Sequence, residues 1–121
     1  MADMPGTPFQ PPHLVFDCVD LARMSGFWSA LLGLEVTKFE DGWVRLSPLE
    51  PGGLVLDFQR VPEPKQVKNR LHLDLPVADL DVGEERVLAL GASGTGEEFP
   101  TDHGFRVFRD PEGNEFCLIL P

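Results

Sequence analysis

Cysteine is scarce in this chain. Only Cys18 and Cys117 occur among 121 residues, too few for the disulfide framework of a small secreted domain, so a reducing cytoplasm is the simplest setting. Long apolar runs are missing too: none approaches the ~20 residues that a bilayer-spanning helix needs. The stretch Met1 to Pro12 lacks both a basic start and an apolar segment, and reads as a Pro-rich tail rather than a secretory signal. Basic residues are outnumbered, ten Lys and Arg against twenty Asp and Glu, for a formal charge of −10. Such an excess repels nucleic-acid backbones and anionic membranes, which removes both as partners. Its ordinary meaning is solubility, and it is compatible with a cationic ligand. No nucleophile elbow, phosphate loop, dinucleotide fingerprint or CxxC pair is present. The glycine-rich run at 91–96 follows a helix rather than opening one, so it is weak evidence for phosphate binding.

What is present is ordinary globular material, 42% hydrophobic and 25% charged, in a length that suits one domain with a modest core. His13 to Asp20 alternates as a largely buried strand, with His13, Val15, Asp17 and Val19 on one face. Asp20 then caps a helix whose apolar residues Leu21, Met24, Phe27, Trp28 and Leu31 recur at helical spacing, and Gly33 suits its left-handed end. Strands are predicted near Glu35 to Phe39, Trp43 to Ser47 and Leu54 to Val61, separated by Asp41-Gly42 and Pro51-Gly52-Gly53. The run from Pro62 to Lys68 reads as an extended connector.

The pattern then repeats. His72 precedes Asp79 by seven residues, as His13 precedes Asp20. A second helix is expected from about Asp81, where Asp81 and Glu84 have capping-box spacing, and Gly91 ends it 19 residues after His72, as Gly33 comes 20 after His13. Gly42-Trp43 corresponds to Gly104-Phe105, Pro48 to Pro111, and Gly53 to Gly113. Four residues beyond those last glycines stand Asp57 and Cys117, which are 44 residues after His13 and 45 after His72. The expected organisation is a tail over 1–12 and one α+β domain over 13–121, with module one at 13–61, a linker at 62–68 and module two at 69–121.

If the halves pack by an approximate two-fold, their equivalent inward positions converge on a shared cup. His13, Asp57, His72 and Cys117 occupy four such positions, and imidazole, carboxylate and thiolate are all competent ligands for a divalent transition metal. Alternation puts Asp17 on the His13 face, Asp74 on the His72 face and Gln59 on the Asp57 face. An inward carboxylate needs a cation, a donor or water. Arg45, Arg70 and Arg106 are available as such partners. Each residue also has a plain reading: a strand histidine is commonly just hydrogen-bonded, and a buried cysteine behaves as a small hydrophobe. His103, in the turn Thr101 to Gly104, reads as a solvent-exposed loop residue.

The paired His-x6-Asp, Phe27-Trp28, Leu32-Gly33-Leu34 and the closing Asp110-Pro-Glu-Gly-Asn-Glu-Phe-Cys117 resemble the vicinal oxygen chelate superfamily, which includes glyoxalase I, fosfomycin-resistance enzymes, extradiol dioxygenases and bleomycin-binding proteins. Val61 to Lys65, together with Lys68 to Asp74, is similar to its glyoxalase-like branch. The resemblance implies two tandem βαβββ modules related by pseudo-two-fold symmetry, with strands curved into an open barrel-like cup. It also implies a divalent metal in that cup, acting as a Lewis acid on a small oxygenated substrate in lyase or isomerase chemistry. The first-strand ligands then fall on His13 and His72. The last-strand ligands, normally Glu, fall on Asp57 and Cys117, and a thiolate there softens the site toward zinc ahead of nickel, manganese or iron. Asp17 and Asp74 become candidate proton acceptors and Gln59 a substrate contact. A homodimer with a half from each subunit in one cup is implied as well. The alternative is a metal-free protein that sequesters a small molecule, as the bleomycin-resistance members do.

Overall fold

The computed structural model describes residues 6–95 and 104–121, so His103 and its turn lie outside the described residues. Module one runs β1 (His13–Cys18), α1 (Leu21–Leu32), β2 (Val36–Glu40), β3 (Trp43–Leu46) and β4 (Val55–Arg60). Module two repeats the order as β5 (Asp74–Pro76), α2 (Leu80–Leu90), β6 (Ser93–Gly94), β7 (Phe105–Arg109) and β8 (Glu115–Ile119). The fold is therefore α+β with two βαβββ units. Each makes its own four-stranded sheet, ordered β1-β4-β3-β2 and β5-β8-β7-β6. The sheets are not closed into one barrel. Among the described residues, no helix is long and apolar enough to cross a membrane.

Local chemistry explains most boundaries. The Asp20 carboxylate accepts from the Arg23 N–H at 3.1 Å and opens α1, and Gly33 closes it at φ 68°, where a Cβ is unfavourable. In module two the cap is Asp79, which accepts from the N–H groups of Asp81 and Val82, rather than the expected Asp81. The repeat itself accounts for this, since Asp79 stands where Asp20 stands in the first half. Asp81 instead lies in the first helical turn, where a negative charge favours the helix dipole, and pairs with Arg106 at 2.9 Å.

The predicted strand over His72 to Asp79 is shorter than its counterpart. It is tied to β8 on either side by Cys117 N–H to the Leu73 carbonyl and Val77 N–H to the Ile119 carbonyl. Pro76, without an N–H, occupies the open edge of the sheet, where no ladder bond is required of it.

The register preserves the internal repeat. Val15 pairs with Asp57 across the parallel β1 and β4, and Asp74 pairs with Cys117 across the parallel β5 and β8. Arg45 faces Asp57 from β3 as Val107 faces Cys117 from β7. One face of each sheet is apolar: Leu56, Phe58, Val44 and Leu46 in the first, Phe116, Leu118 and Phe108 in the second, and all join one core with α1 and α2. The other faces carry the polar residues.

The Asp110–Asn114 turn ties the modules together. Asp110, 3% exposed, accepts from Trp28 Nε1 of α1 at 3.2 Å and from the Glu112 and Asn114 N–H groups and the Asn114 side-chain amide. Burial raises its pKa, against the pull of those donors. Glu112 reaches back across the whole chain to accept from the Val19 and Asp20 N–H groups at 2.8 and 2.6 Å. Trp28 and Phe27 meet Phe116 with ring centroids 5.2 and 6.0 Å apart. Cys18, nearby, is buried, and desolvation followed by the surrounding carboxylates pushes its thiol up to about 11, which suits an inert core residue.

Because the Asp110 bonds are buried and those of Glu112 are more open to water, Asp110→Ala is expected to destabilise the fold by about 3 kcal/mol or more and Glu112→Ala by about 1–2 kcal/mol. Urea unfolding checks both, and equal, small effects would show that the turn does not tie the modules.

Candidate functional site

The polar face of module one is organised around Asp57. This aspartate is the buried acid of its sheet, 1% exposed, because β3 and β1 place a cation and an imidazole directly over it. Arg45 grips it with two bonds, Nε to Oδ1 at 3.0 Å and Nη2 to Oδ2 at 3.1 Å. His13 Nδ1 lies 3.0 Å from Oδ2. Burial by itself would raise the Asp57 pKa, but the hydrogen bonds from Arg45 and then His13, with their charges, outweigh it and hold the carboxyl below its usual range. The same pair holds the Arg45 guanidinium more firmly protonated. Gln59 and Asp17 are register partners on the same face, and both are exposed.

The polar face of module two holds a different group. His72, two residues before β5, Asp74 on β5 and Cys117 on β8 bring one ligand atom each to within 4.8 Å of one another. His72 Nε2 is 3.3 Å from Asp74 Oδ1. His72 and Asp74 are exposed and Cys117 is half-buried. Desolvation raises the Cys117 thiol pKa, and the Asp74 charge and hydrogen bond push it further the same way. Imidazole, carboxylate and thiol at this spacing form a donor set that a soft-to-borderline divalent ion accepts after small side-chain rotations. Among the described residues this is the one group of three such side chains.

The seven candidate residues thus divide by module. His13, Asp57, Gln59 and Asp17 share the first sheet's face; His72, Asp74 and Cys117 share the second's. His13 is not part of the His72 cluster. Asp17 and Asp74, expected to need a cation, a donor or water, are both exposed to water. The buried ion pair forms instead at Asp57, with Arg45; Arg106 lies on the helix side, bonded to Asp81 and Glu84 of α2.

Sequence reasoning missed Glu115. It belongs to the polar face of β8, yet its side chain is only 10% exposed because the connector folds over it: Lys65 Nζ is 3.3 Å from Oε2 and Lys68 Nζ 3.9 Å from Oε1. Asn69 clamps the same spot by pairing its side-chain amide with the Glu115 backbone, Oδ1 accepting from the Glu115 N–H at 2.8 Å and Nδ2 donating to the Glu115 carbonyl at 3.1 Å. The lysines of the connector were the available signal, being unusual for a chain so acidic.

The glyoxalase-like domain model matches residues 13–119. A search of curated proteins gives no significant match. Among solved structures, the fosfomycin resistance protein FosX from Mesorhizobium loti is 19% identical, covers 90% of this chain and 89% of its own, and superposes with a TM-score of 0.70. FosX from Listeria monocytogenes, solved as its E126Q mutant with Mn(II) and 1S,2S-dihydroxypropylphosphonic acid, is 17% identical over 93% and 89% with a TM-score of 0.69. A glyoxalase/bleomycin resistance protein from Albidiferax ferrireducens is 19% identical over 91% and 97%, TM-score 0.65. At these identities the structures establish the shared fold.

If the Asp57 cluster is a strong ion pair, its depressed pKa sets a sign. Its stabilisation is present above the ordinary carboxylate pKa of about 3.9 and is lost as the pH falls through the lower folded value. Asp57→Asn is expected to cost about 1–2 kcal/mol at pH 7, less than a fully buried pair, because Arg45 and His13 keep contact with water. The variant should also show a shallower loss of stability in acid, measured by thermal melts from pH 2 to 7. An unchanged acid slope would mean that the pair contributes nothing.

Proposed function

Since the chain belongs to the glyoxalase-like domain family, we propose that it is a divalent-metal-dependent enzyme acting on a small oxygenated substrate, with His72, Asp74 and Cys117 as the metal-binding set. The observation that carries this reading is the clustering of three chemically distinct donors on one polar sheet face. A bound divalent ion supplies Lewis-acid polarisation of a substrate oxygen. The relative crystallised with Mn(II) and a dihydroxypropylphosphonic acid supports the pairing of a metal with a small oxygenated ligand.

The residues around the cluster have separate tasks under this proposal. Asp57 acts on His13 rather than as a ligand, because both its oxygens are engaged by Arg45. By holding His13 Nδ1 it leaves Nε2 outward and fixes the ring, as a carboxylate behind a ligating histidine does. Since His13 stands apart from the His72 cluster within one chain, it completes a cup only from a facing protomer, and a homodimer with module one of one chain opposite module two of the other is the assembly we propose. Under this reading Asp17, exposed on the His13 face, accepts a proton, and Gln59 beside it holds a polar group of the substrate. With Cys117 as thiolate, zinc is preferred over nickel, manganese or iron.

One observation favours a second reading, a metal-free small-molecule-binding protein. The Arg45–Asp57 pair occupies the module-one position where the fold otherwise offers a carboxylate ligand, and a fixed cation there disfavours a nearby metal.

Zinc titration separates the two. We expect one zinc per chain, proton release on binding, and affinity that rises with pH because the raised Cys117 thiol must ionise. Cys117→Ala should weaken zinc by at least a hundredfold and Asp57→Asn by about ten- to a hundredfold. Purified protein devoid of metal, with no thermal stabilisation by zinc, nickel, manganese or iron(II), would end the metal reading.

A further inference from the structure

Between the modules lies a cavity of about 720 Å³ that reaches Asp17 of the first polar face and Glu115 of the second but not the Asp57 ion pair. It runs along the seam beside β1, is roofed by the connector, and shares only His72 with the metal-binding cluster: Asp74 and Cys117 do not line it. Its volume falls in the ~300–1,000 Å³ range of small-molecule pockets. The inner wall is apolar, with Leu14, Phe16, Leu54 and Phe116 among its residues.

Two features specify what it would take. First, several polar groups of its wall are already engaged within the protein. Asn69 pairs with the backbone of Glu115 and Leu71, the Asn114 amide donates to Asp110, and Glu115 is neutralised by Lys65 and Lys68. The charged lining balances in number, with Lys65, Lys68 and Arg70 against Asp17, Glu63 and Glu115, so neither sign dominates the wall. Secondly, Val67 of the connector and Leu71 just beyond it are 77% and 75% exposed, and both line this cavity. Large apolar side chains left in water on the wall of an apolar cavity gain burial when something fills it.

We propose that this seam is a second ligand site, for an uncharged, predominantly apolar molecule with an aromatic or branched-aliphatic body. Binding buries Val67 and Leu71 and fastens the connector over β1. The site does not depend on metal.

The test uses two fluorescent probes with the same aromatic body, neutral N-phenyl-1-naphthylamine and anionic anilinonaphthalene sulfonate, on the full chain. The neutral probe is expected to bind once per chain, saturably and without salt dependence, and the anion at least tenfold more weakly. Val67→Glu with Leu71→Glu should weaken the neutral probe at least tenfold. The matched pair Val82→Glu with Leu88→Glu, exposed positions on α2, makes the same chemical change elsewhere and should leave affinity within twofold. Cys117→Ala should leave it unchanged, even if zinc binding fails. Equal loss in both charge pairs, loss in Cys117→Ala, or tighter binding of the anion would overturn the proposal. So would a shift from dimer to monomer in the connector variant with probe binding intact, because the apolar wall would then be a subunit interface.

Discussion

The orientation of one module on the other rests on the carboxylate of Asp110. It is buried, it organises its own turn through three backbone and side-chain donors within four residues, and its remaining capacity is spent on the indole N–H of Trp28 in the other module. A buried carboxylate with so many donors has little freedom to reorient without leaving several groups unpaired. The turn thereby aims β8, and β8 carries Cys117 on one face and the core residues Phe116 and Leu118 on the other. The aromatic contacts of Trp28 and Phe27 with Phe116 act on the same strand. The core and the candidate site are therefore positioned by one local arrangement.

The two polar faces show how a repeated backbone can carry unlike chemistry. Asp57 and Cys117 hold equivalent register positions, but the neighbouring strand supplies Arg45 beside the first and Val107 beside the second. A guanidinium turns the first position into a closed ion pair. An apolar neighbour leaves the second as a raised thiol next to Asp74 and His72, available to an incoming cation. The repeat fixes where the side chains stand, and differences at the positions themselves and on both adjacent strands decide what each can do.

Much of this was legible in the sequence because the repeat supplies a second copy of each signal. His13 to Asp20 and His72 to Asp79 gave the two opening strands, Asp20 gave the first cap, and the glycine and turn spacings gave the later strands. The cap of α2 was misplaced to Asp81 because capping-box spacing was weighed above the correspondence with Asp20. Alternation correctly sorted residues onto faces, but it cannot tell what covers a face. Water meets Asp17 and Asp74 on their faces, whereas Arg45 covers Asp57. The connector was the least legible segment. Its prolines and charges read as a spacer, while Asn69, Lys65 and Lys68 fasten it over Glu115 through contacts 46 or more residues apart in sequence.

The outer strands have a consequence for how copies of the chain can meet. β2 borders its sheet with a register slip between Val36 and Lys38, and the exposed Lys38 and Glu40 stand along it; β6, at the far border of the other sheet, has only two residues. Neither offers a long, flat row of free amides for another strand to join, which guards against fibre-like stacking even though Phe39 is 74% exposed. At these two borders self-association by ladder extension is thus disfavoured.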